Sequence, residues 1–203
     1  MEDSKLYIYG ETAKILRKLD NNREDPSIKA IFANIRNSIN NDSSVNMDTL
    51  AFVFQNISEE LLGFSKNLND YEKAILTAVQ MYALHQQAKS DSVLKIDYKE
   101  GERRQNLGDS LNSMRKNNDE DKSIDRRFNA MITSSNFEEL SHHLRQMIKL
   151  LKAKSDAKVD YASLADDLYW FLKNQREGLK IKWSRSYYKN NKKEGNDKNA
   201  KQN

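Results

Sequence analysis

Five cations lie within one stretch, RRFNAMITSSNFEELSHHLRQMIKLLK, which runs from Arg126 to Lys152. Arg145, Lys149 and Lys152 stand at i, i+4 and i+7, so on a helix they form one row, with Arg126 and Arg127 shortly upstream. A phosphate backbone needs several cations on one surface, because each contact releases counterions. Arginine adds bidentate geometry to that attraction. The competing reading is a solvated face with weak ion pairs to Asp125, Glu138, Glu139 or Asp166. Spacing alone leaves both open. Other chemistry finds little support. His142 and His143 are adjacent, so on a helix they point about 100° apart and cannot chelate one metal together. His85 falls on an apolar face and reads as a hydrogen-bonded core histidine. The carboxylate pairs are Glu59–Glu60, Glu138–Glu139 and Asp166–Asp167. The middle pair suits the first turn of a helix, and the other two read as solvated faces. The sequence has no HExxH, no glycine-rich phosphate loop and no G-x-S-x-G. We therefore expect no catalytic residue, no metal and no cofactor.

The elements that must position these residues are helical. Six glycines and one proline in 203 residues leave too few turn markers for a β-sandwich or barrel. Ala13, Leu16 and Leu19 predict a first helix within residues 4–20. Asp25 caps a second helix with Pro26 at its first position, followed by Ile28, Ile31, Phe32, Ile35 and Ile39 on one face. NNDSS reads as a loop, and Leu50, Val53, Phe54 and Ile57 repeat the helical pattern. Asn69 and Glu72 form a capping box ahead of Tyr71, Ile75, Ala78, Tyr82 and His85. The polar stretch Gln86–Asn106 reads as a loop joining two bundles, with mobility expected in it. Leu107, Leu111 and Met114 open the second bundle. Ser123 is the expected cap of a short helix carrying Ile124, Phe128, Met131 and Ile132. Ser135 and Glu138 have the spacing of a capping box for the helix of the opening stretch. Asp160 caps the next helix, with Leu164, Leu168, Phe171 and Leu172 inward, and GLKIKWSRSYYK forms the last. The expected organisation is all-α: an N-terminal bundle over 1–98, a C-terminal bundle over 99–189, and a disordered basic tail over 190–203.

Composition narrows the class. The absence of cysteine excludes disulfides and thiolate zinc sites and fits a reducing compartment. The sequence offers no run of about 18 apolar residues for a membrane span. The opening MEDSKLYIYG does not read as a secretory signal, so a cytoplasmic protein is expected. The net charge of +4 is unevenly spread: residues 1–98 hold 11 Lys and Arg against 14 Asp and Glu, whereas residues 99–203 hold 23 against 16. A basic second half suggests a polyanionic partner.

Several segments in the same order resemble a known family. RRFNAMITSSNFEELSHHLRQMIKLLK, VDYASLADDLYWF and KIKWSRSYYK are similar to the CasB family, the small subunit of the type I-E CRISPR surveillance complex, Cascade. YALHQQ at 82–87 and LGDSL at 107–111 match in order, and ILRKL at 15–19 more weakly. The likeness covers most of the chain and is strongest from Leu107 to Tyr188. It implies an all-helical protein of two small bundles without enzymatic activity. It further implies two copies beside the other Cascade subunits, holding the displaced single-stranded DNA and supporting the CRISPR RNA–target DNA duplex.

Carried over by position, the resemblance places Arg17 and Lys18 in a basic pair of the first helix and Lys89 in a basic loop after LHQQ. It matches Arg126 and Arg127 to the Arg-Arg before Phe128, Arg145 to the arginine of HLR, and Lys152 to the basic residue after Leu151. Lys149 extends that row, and Arg103 and Arg104 join on charge alone. The acidic balance of the first half departs from a uniformly basic binder and points to contacts with neighbouring subunits there. Tyr169 and Trp170 fit base stacking or core packing equally by helix phase. Two other classes stay open. One is a stand-alone helical nucleic-acid binder, although no compact helix-turn-helix is evident. The other is a helical adaptor that binds only protein.

Overall fold

The computed structural model describes residues 2–39, 47–116 and 119–189, with side chains from residue 8 onward. The expected NNDSS loop and the expected tail over 190–203 lie outside the described residues. Among the described residues the fold is all-α, with no β-strand beyond one isolated bridge. In chain order the helices are α1 (Glu2–Asn21), α2 (Pro26–Ser38), α3 (Met47–Phe54), α4 (Asp70–Gln86), α5 (Leu107–Asn112), α6 (Asp121–Ile132), α7 (Phe137–Lys154), α8 (Tyr161–Leu172) and α9 (Arg176–Tyr187). A 3₁₀ turn spans Glu59–Leu61.

Local sequence explains most helix ends. The Asp25 side chain accepts from Ser27 N, with Pro26 in the first turn. Asn69 and Glu72 close the reciprocal capping box, at 2.9 and 2.7 Å. Asp160 accepts from Ser163 N at 2.8 Å. Two caps differ from expectation. Asn136 rather than Ser135 caps α7, accepting from Glu139 N at 2.8 Å. The Glu139 carboxylate in turn takes the Ser135 N–H and hydroxyl, so the pattern is shifted by one residue. Ser123 lies inside α6, whose cap position is Glu120. The third apolar run also breaks early: α3 ends at Phe54, and Ile57 is buried beyond it.

The central element is α4. Ala74, Ile75, Leu76, Ala78, Val79, Met81, Tyr82 and Ala83 are all buried, so it presents apolar surface nearly all round. It packs against α1, α2, α7 and α8. Helix α8 also lies along α1, so the apolar interior runs continuously from Ile8 in α1 to Tyr187 in α9. At the far end Gly108 lets α5 approach α9, since a Cβ there would overlap the Trp183 carbonyl oxygen.

The segment 86–106 is a loop that the rest of the chain holds in place. The Gln86 amide donates to Lys89 O and Asp91 O at 3.0 Å each, and its oxygen accepts from Val93 N at 3.0 Å. Val93 O accepts from Val159 N, and Lys95 N donates to Val159 O, which makes a parallel bridge of Leu94 with Val159. Val93, Leu94 and Ile96 are buried. A loop that buries three apolar side chains resists opening, because each would return to water at a cost of about 1.5–3 kcal/mol.

Candidate nucleic-acid interface

Helix α7 separates its two chemistries cleanly. Leu140, Leu144, Met147, Ile148 and Leu151 are at most 1% exposed and face α4 and α6. Arg145, Lys149 and Lys152 take the other side. Arg145 is half-buried and donates to Ile39 O at 2.6 Å, fastening α7 to the end of α2. Lys149 is exposed and, among the described residues, has no hydrogen bond or ion pair. Lys152 is half-buried and donates to Gln87 Oε1 at 3.1 Å, fastening α7 to the loop after α4. Burial first, and then Arg36 and Lys89, hold the Lys152 ammonium below the usual lysine range. The cationic face is therefore assembled from α2, the 86–89 turn and α7.

The remaining basic positions divide by what they touch. Arg126 and Arg127 are exposed on α6 and, among the described residues, carry no ion pair or hydrogen bond. Arg17 stands 3.4 Å from Asp97, and Lys18 donates to Asn56 at 2.9 Å while lying over the Phe52 ring. Lys89 pairs with Asp156 at 2.9 Å. Arg104 stacks over the Tyr9 ring at 3.9 Å. Arg103 pairs at 2.7 Å with Asp109, a side chain only 4% exposed that also holds Lys189. Arg103, Lys182, Arg185 and Lys189 line an open groove of about 620 Å³ beside α9, around the half-exposed Ile181. The structure thus brings Lys89, Arg145, Lys149 and Lys152 toward one face, and gives Arg17, Arg103 and Arg104 partners within the chain.

Sequence reasoning missed Arg36. Its guanidinium is half-buried, burial lowers its pKa, and among the described residues no acceptor or carboxylate holds it. Nothing local marks it, since α2 supplies only one arginine beside a buried isoleucine. Only the tertiary approach of α2 to α7 and the 86–89 turn puts it next to two lysines.

The other candidate groups are structural. His85 is fully buried, with Nδ1 2.9 Å from the Tyr161 hydroxyl, and burial followed by Lys89 and Lys152 pushes its pKa down to about 4. His142 is exposed and His143 half-buried. Among the described residues no three His, Cys, Asp or Glu side chains gather as a metal site. Asp167 corrects the expectation of a solvated pair: it is 3% exposed and accepts from Trp183 Nε1 at 2.7 Å and from Lys182 at 2.5 Å. A buried indole N–H needs an acceptor, and that need drew the carboxylate inward. Tyr169 resolves toward core packing: it is 6% exposed and stacks on Tyr71 with ring centroids 4.5 Å apart. Among the described residues no helix is long and apolar enough to cross a membrane.

Comparison with known proteins assigns the architecture. CasB from Thermobifida fusca superposes with a TM-score of 0.69 at 20% identity, over 90% of this chain and 98% of that one. A CRISPR-associated protein of the Cse2 family from Thermus thermophilus gives 0.62 at 19% identity, over 87% and 97%. CasB from Thermus thermophilus gives 0.61 at 20% identity, over 87% and 97%. At such identities these matches establish a shared fold. No curated protein matches the chain significantly. The family model of the CRISPR-associated protein Cse2 matches residues 32–188, a span that includes α7, the 86–89 turn and the part of α2 that carries Arg36. The chain belongs to the Cse2 family of CRISPR-associated proteins.

Proposed function

We propose that the chain is a non-catalytic, cytoplasmic small subunit of a type I-E Cascade complex in antiviral defence. In this reading its basic face binds nucleic acid without sequence preference, holding the displaced non-target DNA strand and supporting the CRISPR RNA–target duplex. Its protein partners are the other Cascade subunits and a second copy of itself. The observation that carries the reading is the face built by Arg36, Lys89, Arg145, Lys149 and Lys152, together with membership of the Cse2 family. Arg126 and Arg127, exposed and without partners among the described residues, extend the available charge. R-loop formation exchanges one duplex for another at nearly equal free energy, so a few phosphate contacts to the freed strand can tip it. A basic surface that follows the backbone suits that task and needs no base readout.

The test is strand affinity as a function of salt, measured by fluorescence anisotropy and repeated on R-loops of the assembled complex. Replacing Arg145 and Lys149 together with alanine removes two cations. The slope of log K against log salt should then fall by about 1.4–1.8, with the largest loss of affinity at low salt. An unchanged slope would defeat the reading.

A second reading is a helical adaptor that contacts only protein. It is favoured by Arg17, Lys89, Arg103 and Arg104, whose charges are already engaged by Asp97, Asp156, Asp109 and the Tyr9 ring. Wild-type affinity for single-stranded DNA no greater than that of a neutral protein would favour it.

A further inference from the structure

A pocket of about 190 Å³ opens where the start of α2 meets the turn after α4. Arg23, Phe32, Arg36, Gln87, Ala88 and Lys89 line it, together with Gln86 and the pair Glu24–Lys29. Lys152 reaches its rim through the bond to Gln87. Two carboxylates are at hand, and each already holds a lysine of the pocket. Glu24 holds Lys29 at 2.9 Å, and the exposed Asp156 holds Lys89 at 2.9 Å. No carboxylate among the described residues reaches Arg36 or Lys152. Arg36 and Lys152, both partly buried, lie near each other and near Lys89, and of the three only Lys89 has its charge offset, by the exposed Asp156.

The backbone at the rim is unusual too. Ala88 has φ 59°, a left-handed conformation that a side-chain-bearing residue adopts at a cost. It turns the chain so that Gln87 and Lys89 both border the pocket. Phe32, 5% exposed, supplies an apolar wall. Crowded cations around one concavity, held there by the turn at Ala88, form an arrangement whose repulsion an anion would relieve.

We propose that this pocket is a seat for a single phosphate group, with Arg36 as the bidentate donor and Lys89 and Lys152 as flanking point charges. The phosphate belongs to a nucleic-acid strand if the interface reading above holds, and the proposal rests on that reading only for this source. The seat itself requires only a phosphate oxyanion.

The test uses the full chain and two substitutions, Arg36→Gln and Lys152→Met. Thermal unfolding is followed in chloride and in inorganic phosphate of matched ionic strength. Arg36→Gln breaks no side-chain bond among the described residues, so without phosphate it should unfold at or above the wild-type temperature. Lys152→Met also loses the Gln87 bond and serves as the second variant. Phosphate a hundredfold above its Kd should raise the wild-type midpoint by about 5 °C or more, and both variants should lose most of that gain. In a parallel arm, Arg36→Gln should weaken oligo-dT binding by about tenfold. A wild-type midpoint that responds no more to phosphate than to chloride, or a gain fully kept by Arg36→Gln, overturns the seat. An Arg36-dependent phosphate gain without any oligo-dT binding keeps the seat, for free phosphate, and defeats the interface reading.

Discussion

His85 should make the fold acid-sensitive in a defined window. It sits beneath the basic face with no exposed surface, bonded to Tyr161, while Lys89 and Lys152 add positive potential to the effect of burial. Its pKa falls from 6.5 to about 4, so the unfolded chain takes up a proton between those values that the folded chain refuses. The contribution to stability is therefore complete above about pH 6.5 and declines as pH drops toward 4. Below that it stays flat, after a total loss of roughly 3 kcal/mol. Between pH 7.5 and pH 5 the loss should be about 2 kcal/mol. Urea unfolding at those two pH values measures it directly. His85→Gln loses ring packing by an amount independent of pH, so its stability should change little between pH 7.5 and 5. Parallel loss of about 2 kcal/mol in wild type and variant would refute the reasoning, because the proton would then bind elsewhere.

Three further outcomes are expected. Ala88→Gly should raise stability by about 0.5–1 kcal/mol in urea unfolding, since glycine adopts a φ of 59° without a Cβ penalty. Gly108→Ala should lower it by more than about 1 kcal/mol and alter the near-ultraviolet signal of Trp183, because the new Cβ meets the Trp183 carbonyl. Asp167→Ala should cost about 1–3 kcal/mol through the stranded Trp183 N–H, with a red-shifted indole fluorescence as the optical check.

Local signals were readable wherever the determinant is local. Asp25 with Pro26, Asn69 with Glu72, and Asp160 are caps fixed within four residues, and the structure holds all three as the sequence predicts. The α7 stripe followed from its 3.6-residue period in the same way. One miss was itself local, a one-residue shift of the α7 cap, and the others came where distant groups decide. Asn136 took the cap from Ser135 because Glu139 reaches back to Ser135. Asp167 turned inward because Trp183, sixteen residues on, needs an acceptor. In the polar segment 86–106 composition suggested mobility, but Gln86 and Val159 pin it, and neither bond has a sequence signature. Among the basic residues, charge and spacing found the α7 row, whereas Arg36 enters that face only through packing.

That mixed origin has a consequence for the life of the chain in the cell. The face needs α2 and the turn after α4 from the first half, and α7 from the second, docked on a shared interior. A nascent or partly opened chain carries the same charges but scatters them. Under the proposed function, polyanion affinity reports completed folding, and any strand that favours the assembled face shifts the folding equilibrium toward it by mass action. Immature copies would be poor competitors for nucleic acid, and a bound strand would act as a brace across the seam between the two halves.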